Sequence, residues 1–87
     1  MARRPFSRRG RLDIIYNILS LCLNPAQKTH IMYQVNLSYA QLQKYLKYLA
    51  QTNLFRITTN EKEELYIVTP KGREFIEEYQ RLLELLE

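Results

Sequence analysis

The apolar positions of this chain change their period along its length. From Leu12 to Leu23 they gather on one helical face, with Ile14, Ile15, Ile18, Leu19 and Cys22 together. Asn24-Pro25 closes that run, because a residue preceding proline avoids helical dihedrals. The pattern predicts a first helix over 9–23, with Ser7 as its cap. A second, short helix is predicted over 29–35, capped by Thr29, with Ile31, Met32 and Val35 turned inward. Asn36 suits a turn. Ser38 then stands as an N-cap with Gln41 three residues later, the spacing of a capping box. Leu42, Tyr45, Leu46 and Leu49 repeat at i, i+3, i+4 and i+7, so a third helix is predicted over 38–51. The short link between the second and third helices forces them to cross steeply, as in a helix-turn-helix.

Beyond Asn53 the period becomes two. Phe55, Ile57 and Thr59 alternate with Arg56 and Thr58, and Leu65, Ile67 and Thr69 alternate with Tyr66 and Val68. The polar stretch Asn60 to Glu63 joins two strands into a hairpin. It has no glycine, so a connection longer than two residues is expected. Thr69-Pro70 opens a last helix, with Thr69 as cap and Pro70 at the first helical position. Gly72 falls in its first turn, where a glycine costs little. Phe75, Tyr79, Leu82 and Leu86 follow at spacings 4-3-4, the seam of a coiled coil, and Ile76, Leu83 and Leu85 widen the stripe. The fold class that results is mainly α with a β-hairpin: a winged helix-turn-helix with a C-terminal dimerisation helix. Residues 1–8 form a basic arm, 9–69 the winged-helix domain and 70–87 the dimerisation helix. The expected dimer interface is Phe75, Tyr79, Leu82, Leu83 and Leu86.

Charge sharpens this picture. Residues 1–60 carry nine basic side chains against one acid, Asp13, whereas residues 61–87 carry four against eight glutamates. A polyanion is drawn to the first part and repelled by the second. The outward face of the third helix holds Ala40, Gln41, Gln43, Lys44, Lys47, Tyr48 and Gln51, with no acid. Glutamine can pair with adenine N6/N7 and lysine with guanine O6/N7, while lysines also neutralise phosphates. The arm contributes Arg3, Arg4, Arg8 and Arg9, suited to phosphates or a minor groove. The remaining candidate DNA contacts are Lys28, Ser38, Tyr39, Arg56 and Lys62. Two roles stay open for Tyr39, donation to phosphate or packing against the second helix. Glu63 and Glu64 beside the hairpin tip make the wing a weak DNA contact, left to Arg56, Thr58, Thr59 and Lys62.

The run Lys28-Thr29-x-Ile31-Met32-Tyr33, then Asn36-Leu37-Ser38-Tyr39, Gln41-Leu42-x-x-Tyr45-Leu46-x-x-Leu49, Asn53-Leu54 and Tyr66-x-x-Thr69-x-Lys71-Gly72 resembles the small archaeal winged-helix DNA-binding proteins. These are chromatin-associated or regulatory, and related to the winged-helix domain of archaellum regulators. The likeness covers roughly residues 10–75. It implies binding to double-stranded DNA and pairing through the C-terminal helix.

Other chemistry is thinly represented. Cys22, the sole cysteine, excludes an intrachain disulfide and fits an inert core thiol in a reducing setting. His30 has no carboxylate or cysteine at ligand spacing, so no metal is expected. There is no glycine-rich phosphate loop and no nucleophile–His–acid set, so neither enzyme activity, cofactor nor small-molecule ligand is expected. The apolar run 12–23 is short and interrupted by Asp13, Tyr16, Asn17 and Ser20, which argues against a membrane span. The arginine-rich start reads as a functional arm rather than a targeting peptide. A cytoplasmic, nucleoid-associated protein is expected. Tyr16, Tyr33 and Tyr45 lie near apolar stripes, so most of the tyrosines are expected in the core, which leaves no exposed aromatic platform for RNA. The function expected is sequence-tolerant or moderately selective binding of double-stranded DNA by a homodimer, as transcription regulator or chromosome organiser. The alternative is a protein–protein interaction module, since fold alone does not decide function.

Overall fold

The computed structural model describes residues 10–87. The elements are α1 (Arg11–Leu21), α2 (Lys28–Val35), α3 (Tyr39–Gln51), β1 (Phe55–Asn60), β2 (Glu63–Val68) and α4 (Pro70–Leu85). The element order is as expected, but several local details differ. Ser7 lies outside the described residues, and α1 is capped by Gly10, whose N–H donates to the Asp13 carboxylate at 3.2 Å. Thr29 is not the cap of α2. The Gln27 carbonyl already accepts from the Ile31 N–H at 3.1 Å, so the helix starts earlier, at Lys28. The cause lies outside the helix. Ala26 and Tyr66 exchange two backbone hydrogen bonds of 3.0 and 2.8 Å, which add a one-residue third rung to the hairpin and aim the chain into α2.

Asn36 ends α2 in the left-handed region at φ 58°, ψ 51°, a conformation asparagine tolerates better than most residues. The capping box of α3 forms as expected. Ser38 Oγ accepts from the Gln41 N–H at 3.2 Å, and Gln41 Oε1 accepts from the Ser38 N–H at 3.1 Å.

The hairpin pairs Phe55 with Val68, Ile57 with Tyr66 and Asn60 with Glu63. Its tip is therefore two residues, Glu61-Lys62, shorter than the missing glycine suggested. Glu61 takes the left-handed conformation itself, at φ 52°. Core register overrides local preference here, because Phe55, Tyr66 and Val68 must all face inward. Ile57 shares a strand face with Phe55 but has run off the core and is exposed.

The core joins Ile15, Ile18, Leu19 and Cys22 of α1 and its end to Ile31, Val35, Leu42, Leu46, Leu49, Phe55, Tyr66, Val68 and Ile76. Among the described residues no polar or charged side chain is buried in it. Burial pushes the Cys22 thiol up to about 12. Tyr33 is not a core residue. It stands two positions from Ile31, on the opposite side of α2, and is exposed.

The end of α3 is fastened to the start of α4. Thr69 caps α4 by accepting from the Gly72 N–H at 3.1 Å, and its hydroxyl donates to the Asn53 carbonyl. Lys71 Nζ donates to the Thr52 carbonyl at 2.8 Å, and the Thr69 N–H donates to the Leu54 carbonyl at 3.1 Å. Gly72 is buried in this junction, and a Cβ there has no room between the Leu54 carbonyl and a Val68 methyl. Its glycine is thus a packing requirement rather than an incidental first-turn residue.

Helix α4 runs back along α1. The Val68 N–H donates to the Cys22 carbonyl where α1 ends and α4 begins, while Tyr16 and Tyr79 stack farther along at 4.6 Å. Gln80 Nε2 donates to the Tyr16 hydroxyl at 3.2 Å.

Candidate nucleic-acid interface

Helix α3 turns Leu42, Leu46 and Leu49 into the core and presents Gln41, Gln43, Lys44, Lys47 and Tyr48 to solvent. Amphipathic spacing alone imposes this split. The outward face has two lysines and no carboxylate, so nothing on the helix neutralises it. The two glutamines differ. Gln41 has its oxygen committed to the capping box, and an adenine contact needs both its oxygen and its nitrogen. Gln43 lies in the helix interior with no capping role.

Lys28, at the first position of α2, places its ammonium 5.4 Å from the centre of the Tyr39 ring. That contact joins the starts of α2 and α3 by a cation–π interaction. Tyr39 packs against the second helix in this way while remaining largely exposed. Behind it, burial, with the Glu64 charge as the next cause, raises the Tyr66 phenol above its ordinary value.

Two depressions flank the α3 face. One, of about 280 Å³, lies between the start of α1 and α3 and is lined by Arg11, Lys44, Tyr45 and Tyr48. The other, of about 380 Å³, lies between α3 and the hairpin and includes Lys28, Gln43, Lys44, Lys47 and Ile57. Lys28, Gln43, Lys44 and Lys47 thus come together on one surface. Arg56 and Lys62 are exposed on the hairpin, outside the residues lining either depression. Arg3, Arg4, Arg8 and Arg9 lie outside the described residues. Tyr48 was legible on the outward face of α3 without a contact of its own, and Ile57 was not singled out as a site residue. Arg11 was legible only as one charge among several, and Ile57 as half of a strand repeat.

Residues 8–87 match a family model described as winged helix-turn-helix. The chain belongs to the winged helix-turn-helix family. An uncharacterised protein of Methanocaldococcus jannaschii is 31% identical over 83 residues, 94% of this chain. Those residues are 37% of that relative, so the chain spans little more than a third of its length. The winged helix-turn-helix also superposes on Sso10a-2, a DNA-binding protein from Sulfolobus solfataricus, with a TM-score of 0.79 and 26% identity. That match covers 88% of this chain and 81% of that one. ZitR of Lactococcus lactis, solved in complex with DNA, shares the fold at a TM-score of 0.70 and 18% identity, over 99% of this chain and 61% of its own.

The C-terminal end of the winged helix-turn-helix has a different character. Tyr79 is buried within its own domain against Tyr16, and Phe75 is half-buried beside it. Leu82, Leu85 and Leu86 are exposed at 55%, 78% and 60%, with Leu83 half-buried. Because α1 and α4 are antiparallel, exposed Leu12 lies toward this same end. Among the described residues, no helix is long and apolar enough to cross a membrane and no metal-binding group of side chains is gathered.

Proposed function

We propose that the protein binds double-stranded DNA as a homodimer, serving as a transcription regulator or chromosome organiser on the nucleoid in the cytoplasm. The observation that carries the reading is the acid-free outer face of α3, where Gln43, Lys44 and Lys47 stand together on a family fold. Helix α3 enters the major groove, Lys28, Lys44 and Lys47 neutralise phosphates, and Gln43 meets base edges. Ser38 and Tyr39, at the start of α3, approach the backbone. Arg56 and Lys62 touch the flanking duplex, and the arm, residues 1–8, adds Arg3, Arg4 and Arg8, continued by Arg9. That Sso10a-2 is a DNA-binding protein supports the assignment.

The unit 9–69 meets DNA in this reading, and 70–87 pairs two copies. Leu82, Leu83 and Leu86 carry the pairing. Tyr79 and Phe75 contribute mainly by holding α4 on α1. The reaction is one of binding, with no catalytic group required. The test is duplex affinity measured across salt concentrations. A falling log–log dependence, with about 0.9 per phosphate contact, is expected. Affinity independent of salt, or none, refutes the reading and favours a protein-docking module.

A further inference from the structure

The groove between α3 and β1 has an apolar floor beneath a cationic rim. Leu46, Ala50 and Ile57 supply the floor, and Gln43, Lys44 and Lys47 stand at the rim. Among the described residues, no acidic one lines it. Ile57 is 48% exposed there, although Phe55, two residues back on the same strand face, is fully buried. An aliphatic side chain is therefore left facing water in a groove lined also by Lys28, Lys44 and Lys47.

The charge selects a polyanion as occupant. The major groove of a duplex displays one kind of apolar group, the C5-methyl of thymine. The other uncharged reader in the groove is Gln43, and the bidentate partner of a glutamine amide is adenine, through N6 and N7. Both features point to the same base pair. Gln41 adds nothing to this choice, because its oxygen already serves the helix cap.

We infer that the groove between α3 and β1 is an A·T-reading subsite, with Ile57 receiving a thymine methyl and Gln43 pairing with adenine. This rests on the DNA-binding reading above. The lysines then serve the phosphates, and preference comes from Ile57 in the floor and Gln43 at the rim.

The test uses all 87 residues of the chain and two duplexes of identical A·T-rich sequence, one with thymine and one with deoxyuracil. The exchange removes only the methyl groups and keeps base pairing. Wild type is expected to bind the thymine duplex about fourfold more tightly per methyl buried. Ile57→Ala, at an exposed position, is expected to bind both duplexes alike. Gln43→Ala is expected to lower the preference for A·T over G·C duplexes of equal length while keeping the preference for thymine over deoxyuracil, and an unchanged A·T preference overturns the adenine contact. Equal wild-type affinity for thymine and uracil overturns the inference, while salt-dependent binding to both leaves the DNA-binding reading standing. Thymine preference that survives Ile57→Ala also overturns it, because the methyl is then read elsewhere. Absence of salt-dependent binding to either duplex removes both.

Discussion

Gly72 has its consequences at the scale of single atoms. A methyl group at this position meets the Leu54 carbonyl oxygen and Val68 side chain, both fixed by the α3–α4 junction. Gly72→Ala is expected to destabilise the domain by about 2 kcal/mol or more, despite alanine's better helix propensity. Thermal denaturation reads this directly, and a gain in melting temperature refutes the packing argument. Cys22 makes a second prediction. Its thiol is raised from 9.0 to about 12 by burial, so the folded protein holds that proton after the unfolded chain has lost it. The contribution is fully present below about pH 9 and is lost as pH rises from there toward 12. The slope in that window approaches 1.4 kcal/mol per pH unit for one group. Urea titrations at pH 8 and pH 10.5 are expected to show a smaller alkaline loss for Cys22→Ala than for wild type. Cys22 was legible as a core thiol from its place in an apolar run. The role of Gly72 was not, because the atoms that crowd it come from residues 54 and 68, and no local pattern reports such an approach.

Helix α3 separates two jobs that its sequence runs together. Gln41 closes the helix start, so Gln41→Ala is expected to cost about 0.5–1 kcal/mol of stability while leaving base preference unchanged. Chemical denaturation and competition between duplexes check the two halves, and a changed preference with unchanged stability contradicts the assignment. Lys44 and Lys47 lie off the buried stripe. Replacing both with alanine is expected to leave stability within about 0.5 kcal/mol and to lower the salt slope by about 1.8. An unchanged slope excludes α3 as the contacting helix. The stripe, its capping box and the order of elements were readable because each depends on residues within two turns of one another. The hairpin tip and the start of α2 were not. They follow from the Ala26–Tyr66 bridge and the register of Phe55 with Val68, which are contacts at long sequence separation. The candidate interface divides the same way. The lysine face was legible from composition, whereas the Ile57 groove appears only once the hairpin is placed beside α3.

At the scale of the whole molecule, an extent of 43 by 27 by 23 Å describes an elongated body. The leucine-rich end of α4 lies with Leu12 beyond the Tyr16–Tyr79 stack. Leu82→Glu with Leu86→Glu is expected to give a folded monomer with weaker DNA binding. Sedimentation at about 100 µM, well above a micromolar dissociation constant, is expected to show a dimer for wild type. A wild-type monomer at that concentration rules the pairing out. The fastening of Thr69, Lys71 and Gly72 to the end of α3 gives such a dimer a mechanical property. The sixteen residues of α4 form a shaft about 24 Å long, with α3 bolted to its base rather than hung from a hinge. Two such shafts joined at their tips act as calipers with a fixed jaw opening. Inserting about five base pairs between two half-sites, half a turn of duplex, carries one jaw to the wrong side of the DNA.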